Sequence, residues 1–118
     1  MGRRLLVVDD DAAFCTFLDD ALTSAGHIVR SYTDSDVALA ALRAGAVHPD
    51  VILIDLVMPV LTGRDVVAAL RADPNLRDIP VVLISALPVP NLAAAMGTVA
   101  VLRKPFELDA LLDVIARL

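Results

Sequence analysis

Asp9, Asp10, Asp55, Ser85 and Lys104 are the residues of this chain whose types and positions could do chemistry, because each closes an apolar run. "RLLVV" precedes the acidic pair, "VILI" precedes Asp55, "PVVLI" precedes Ser85, and "VAVLR" precedes Lys104. If the first and third runs lie side by side, three carboxylates converge, which is unfavourable unless a cation sits among them. An all-oxygen donor set suits a hard ion such as Mg²⁺, which takes a few carboxylates and keeps waters for an incoming phosphate. A lysine and a hydroxyl nearby suit phosphoryl oxygens. Lys104 is the one lysine against nine arginines. Either the position requires a compact point charge or an arginine-rich composition has placed it there by chance.

The elements that must position these groups alternate in type. "RLLVVD" (4–9), "HIVRSYT" (27–33), "VILID" (51–55), "PVVLIS" (80–85) and "VAVLR" (99–103) read as strands, the first, third and fourth almost wholly apolar, as strands covered on both faces must be. Helical patterns lie between them: 12–26, capped by Asp11 and closed by Gly26; 35–45, capped by Asp34 or Ser35 and closed by Gly45; and 63–73, stopped by Pro74. A last helix over 105–118 opens with Pro105 near its first turn. This alternation predicts one open five-stranded parallel α/β domain spanning 1–118. In such sheets ligands bind beyond the carboxyl ends of the strands, where all five residues stand.

Composition narrows the class. The 118 residues are 58% hydrophobic and 21% charged, but the apolar runs are too short to span a bilayer and "MGRRLLVVDDD" makes no signal peptide, so a cytoplasmic protein is expected. A net charge of −5 with scattered arginines offers no basic stripe for nucleic acid. Cys15, the single cysteine, reads as an inert buried thiol, and His27 and His48, which flank turns, as surface histidines.

"VVDDD", "VILIDLVMP" followed by Thr62-Gly63, "VVLISA" and "LRKPFELDALL", in that order over essentially the whole chain, resemble the receiver domain of two-component response regulators. The resemblance implies a flavodoxin-like (βα)₅ fold with strand order 2-1-3-4-5. It implies Asp55 as the phosphoacceptor, a carboxylate nucleophile served by a histidine kinase or histidine phosphotransfer protein. It further implies Asp9, Asp10, Asp55 and the Val57 backbone carbonyl as Mg²⁺ ligands, Ser85 as the switch hydroxyl, Lys104 as the phosphoryl partner and a cis peptide bond before Pro105. Such a domain is a signalling module rather than a true enzyme, with no membrane or direct nucleic-acid contact.

Two stretches depart from the family. Ser85 to Lys104 is shorter than usual by about one helical turn, and Pro88 and Pro90 predict a shortened fourth helix, reduced to 91–96. That places in question the face through which receivers commonly signal to an output partner or dimerise. Val101 stands where the family usually has an aromatic reporter, and the sole tyrosine, Tyr32, is in the second strand. By the family's layout, the side chains of Val57 and Leu87 would flank the path of an attacking water, and neither can hold one by hydrogen bonding. Two other readings remain: a degenerate receiver that binds partners without being phosphorylated, and a Mg²⁺-dependent phosphohydrolase using Asp9-x-Asp11.

Overall fold

A computed structural model of the chain describes residues 2–86, 97–98 and 100–118. Five strands, β1 (Arg4–Val8), β2 (Ile28–Tyr32), β3 (Val51–Asp55), β4 (Val81–Ser85) and β5 (Ala100–Arg103), form one parallel sheet in the order β2-β1-β3-β4-β5. Helices α1 (Ala12–Ser24), α2 (Ser35–Arg43) and α3 (Gly63–Ala72) and a C-terminal helix (Leu108–Ala116) cover it. The expected flavodoxin-like order is therefore present. The expected helix at 91–96, with Leu87, Pro88, Pro90 and Val99, lies outside the described residues.

Apolar alternation explains the layering. Successive strand residues face opposite sides, so Leu6, Val8, Ile52, Ile54 and Leu83 join Leu39, Leu42, Val66, Val67 and Leu70 beneath α2 and α3. Leu5, Val7, Leu53, Val82 and Ile84 join Leu18, Leu22, Leu111 and Ile115 beneath α1 and the C-terminal helix. Each fully buried aliphatic side chain contributes about 2 kcal/mol, and both faces of β1, β3 and β4 contribute. The edge strands β2 and β5 are only partly covered.

Local signals set the helix ends. The Asp11 carboxylate accepts from Phe14 N at 3.1 Å, and Thr62 with Asp65 forms a capping box at the start of α3. α1 ends at Ser24 and α2 at Arg43, each followed by a glycine at positive φ, Gly26 and Gly45. Ser35 is buried, and its hydroxyl donates to Leu61 O at 2.8 Å, pinning the loop after β3. Asp34, the N-cap residue of α2, makes no side-chain cap bond. Arg71 near the end of α3 donates to the carbonyls of Arg77, Ile79 and Gly97, tying α3 to the turn before β5.

Several expectations need correction at their edges: β4 begins at Val81, after Pro80, and α3 ends at Ala72. β1 stops at Val8, so Asp9 stands just beyond the strand. β2 lacks His27 and Thr33. The C-terminal helix begins at Leu108 after Glu107, not near Pro105, whose peptide bond with Lys104 is cis, as the resemblance implies. Pro105 belongs to the loop, and Glu107 is the N-cap residue of the helix.

Val60, in the loop after β3, has φ 67 and is 82% exposed. A branched side chain in the left-handed region costs about 1–2 kcal/mol, and an exposed one gains little from packing. Asn tolerates that region, so Val60→Asn should raise unfolding stability by about 1 kcal/mol in urea titration. A loss of stability would show that the valine side chain makes a contact worth more than the strain.

Candidate functional site

The carboxyl ends of β1, β3, β4 and β5 bring the sequence-selected residues to one crevice. β1 and β3 are neighbours, pairing Val8 with Ile54, so Asp9 and Asp10 leave the sheet beside Asp55. Asp9 N donates to Tyr32 O at 3.1 Å, and Leu56 N donates to Ile84 O at 2.8 Å, continuing the ladder past the strands on both sides. The glycine of the Thr62-Gly63 pair is required by space. A Cβ at Gly63 would lie 2.6 Å from Asp55 O and 2.8 Å from Leu56 Cα, so only glycine lets α3 begin against the end of β3.

Oxygen atoms of Asp9, Asp10 and Asp55 all lie within 4.8 Å of one another. Asp9 is 1% exposed, Asp55 nearly buried and Asp10 exposed. Lys104 Nζ donates to Asp9 Oδ2 at 3.0 Å and stands 3.6 Å from Asp55 Oδ2. Backbone donors complete the coordination of the acids, Asp11 N to Asp9 Oδ1 at 2.9 Å and Val57 N to Asp55 Oδ1 at 3.2 Å. Ser85 is fully buried at the end of β4, and its carbonyl accepts from Lys104 N at 2.7 Å, which sets the lysine beside the crevice. Val57 presents a 60% exposed side chain at its rim.

Burial, and after it the Asp9 charge, push the Asp55 carboxyl above the usual carboxylate range, partly opposed by the Val57 N–H and the Lys104 charge. Burial alone would lower Lys104, but the hydrogen bond and charge of Asp9 and the charge of Asp55 outweigh it and hold the ammonium above its ordinary value. One ammonium thus faces three carboxylates. That surplus of hard oxygen donors, partly desolvated, is what a divalent cation such as Mg²⁺ fits, with Asp9, Asp10 and Asp55 able to hold it.

Sequence reasoning missed an aromatic pair. Lys104 Nζ lies 4.2 Å from the centroid of the Phe14 ring, and Phe106 forms a T-shaped pair with that ring at 6.1 Å and 83°. The available signal was that Phe14 falls four residues after Asp10 and Phe106 two after Lys104, in a chain with only three phenylalanines. Asp11, by contrast, turns away to cap α1. His48 is exposed and His27 half-buried, its Nδ1 accepting from Arg3 N, so neither approaches the crevice. A hollow of about 280 Å³ at the opposite end of the sheet, lined by Arg4, Ile28, Arg30 and His48 among others, contains none of the chemically selected residues.

The chain matches the family described as response regulator receiver domain over residues 5–116, and it belongs to that family. It is 44% identical over 87 residues to the response regulator PleD of Caulobacter vibrioides, covering 74% of this chain and 19% of PleD. It is 38% identical over 86 residues to the DNA-binding response regulator MtrA of Mycobacterium tuberculosis, covering 73% and 36%. The chain therefore spans about a fifth to a third of these relatives. Among solved structures, the chemotaxis protein CheY4 of Vibrio cholerae superposes with a TM-score of 0.88 at 30% identity, covering 99% of this chain and 98% of that one. The receiver domain of the sensor histidine kinase PA1611 of Pseudomonas aeruginosa, which carries a magnesium ion coordinated in its active-site cleft, does so at 0.84 and 28%, covering 99% and 97%. No helix among the described residues is long and apolar enough to cross a membrane.

Two outcomes follow from the site's electrostatics. Burial first, then the negative field of Asp9 and Asp19, push the Cys15 thiol up to about 11, and its Sγ donates to Asp9 O at 3.3 Å. At pH 8 such a thiol is about one part in a thousand thiolate. Iodoacetamide should therefore modify Cys15 at least about a hundredfold more slowly in native protein than in urea, and equal rates would show an open, ionised thiol. Asp10 adds a third charge to the cluster, so Asp10→Ala should melt no lower than wild type in chelator. A clear drop there, followed by differential scanning calorimetry, would reveal a structural role for Asp10.

Proposed function

We propose that this chain is a phosphoacceptor receiver, taking a phosphoryl group on Asp55 from a histidine kinase or histidine phosphotransfer protein and presenting the change to an output partner. The observation that carries this reading is the place of Asp55 Oδ2, 3.6 Å from the Lys104 ammonium and within the same cluster as Asp9 and Asp10. An Asp55 carboxylate oxygen attacks the phosphorus, the P–N bond to the donor imidazole breaks, and the imidazole leaves with that electron pair. Asp9, Asp10, Asp55 and the Val57 carbonyl would hold Mg²⁺, which when bound offsets charge on the phosphoryl oxygens. Lys104 lies within reach to pair with one such oxygen, and Ser85, at the end of the adjacent strand, is assigned the hydroxyl that bonds another.

The position of Asp11 favours this reading over a phosphohydrolase that uses Asp9-x-Asp11. Its carboxylate is engaged with Phe14 N on the helix side, while the cluster is completed by Asp55 from another strand. Val57 at the rim offers no hydrogen bond to an attacking water, which suits a phosphoryl group that persists until it is sensed.

Incubation with acetyl phosphate and Mg²⁺, followed by peptide mass mapping, should place one phosphoryl group on Asp55. Asp55→Asn and chelation with EDTA should each reduce labelling by at least about a hundredfold. Full labelling of Asp55→Asn at another acid would overturn the assignment.

A further inference from the structure

We propose that Phe14 is a positioning residue for Lys104, holding the ammonium beside Asp55 through the face of its ring. This rests on the phosphoacceptor reading and extends it to a side chain that makes no contact with the phosphoryl group. Among the described residues three groups lie around Lys104 Nζ: Asp9 Oδ2 at 3.0 Å, Asp55 Oδ2 at 3.6 Å and the Phe14 centroid at 4.2 Å. Two of the three are carboxylates whose engagement changes during the reaction. Asp55 becomes an acyl phosphate, and Asp9 cannot give its full charge to both a metal ion and an ammonium. The ring keeps the same attraction throughout, since a quadrupole face is neither titrated nor coordinated.

Phe14 is itself fixed from several sides. Its backbone N donates to the Asp11 cap at 3.1 Å, and its ring forms a T-shaped pair with Phe106 at 83°. Phe106 and Lys104 flank Pro105, so one loop delivers a ring contact and an ammonium to a single ring. That loop and α1 also line a cleft with Phe17 and Ala86, which leaves the Phe14 ring half-buried rather than part of the deep core. A leucine would fill much of the same space without a π face, and a tyrosine would keep the face. Packing and positioning are therefore separable.

The test compares Phe14→Leu and Phe14→Tyr with wild type by two measurements. The first is proton and carbon NMR of the Lys104 ε-methylene without metal or phosphodonor, where the ring current of Phe14 should shift the resonance upfield. The second is the rate of labelling by acetyl phosphate with Mg²⁺. Phe14→Leu should lose the upfield shift and label about fivefold more slowly, and Phe14→Tyr should restore both. An unshifted Lys104 methylene in wild type overturns the placement. Labelling of Phe14→Leu at the wild-type rate, or of Phe14→Tyr as slowly as Phe14→Leu, overturns the positioning role. Absence of labelling in wild type, with the shift present, overturns the phosphoacceptor reading and leaves the ring–ammonium contact standing.

Discussion

Three carboxylates crowded at one end of a dry sheet repel one another, and one ammonium holds that repulsion in check. Asp9, almost wholly buried, has no water to screen it, and Lys104 supplies its charge-assisted hydrogen bond at 3.0 Å. Removing Lys104 would take from this buried carboxylate its one ion-pair partner among the described residues and leave the Asp11 N–H on its other oxygen. The fold is arranged around this imbalance. β1 and β3 lie at the centre, where coverage by helices on both faces excludes water, and β5 at the edge brings in the cation from the more open side.

The imbalance is also what makes the crevice useful. A site with its charges fully paired would have no reason to recruit another cation. Here Asp55 is raised by burial and by Asp9, and the spare negative charge is directed outward through the exposed Asp10. A divalent ion held by Asp9, Asp10 and Asp55 would complete the charge balance that the protein alone leaves open. Gly63 and the Ser35 hydroxyl serve the same end from a distance. The first lets α3 pack against the backbone of Asp55, and the second fixes the loop that carries Val57.

Much of this was legible in the chain itself, for identifiable reasons. β1, β3 and β4 are continuous apolar runs because both their faces are covered, and the polar residue that ends each run therefore stood out. Asp9, Asp10, Asp55, Ser85 and Lys104 were found that way, and the structure brings them to one end of the sheet. Strand β2 was drawn too long at both ends because an edge strand is polar on one side and fades into its turns. The last helix was started three residues early because Pro105 suits a first turn as well as a loop, and sequence pattern alone does not separate the two. Val60 carries no sign of its left-handed backbone, since a valine there goes against local preference and is imposed by the surrounding loop. Phe14 and Phe106 carry no mark in the sequence of their role, because a ring's use as a cation's seat depends on tertiary placement.

The pair that balances the site is separated by 95 positions in the chain. Every acid of the cluster, from Asp9 to Asp55, precedes β4, and the ammonium arrives only after β5. A chain emerging from the ribosome thus displays its repelling carboxylates well before their counter-charge exists. The central strands gain their apolar partners early, but the crevice reaches electrostatic closure only when the final loop docks. Chain order thus makes the segment carrying Lys104 the last part of the crevice to emerge.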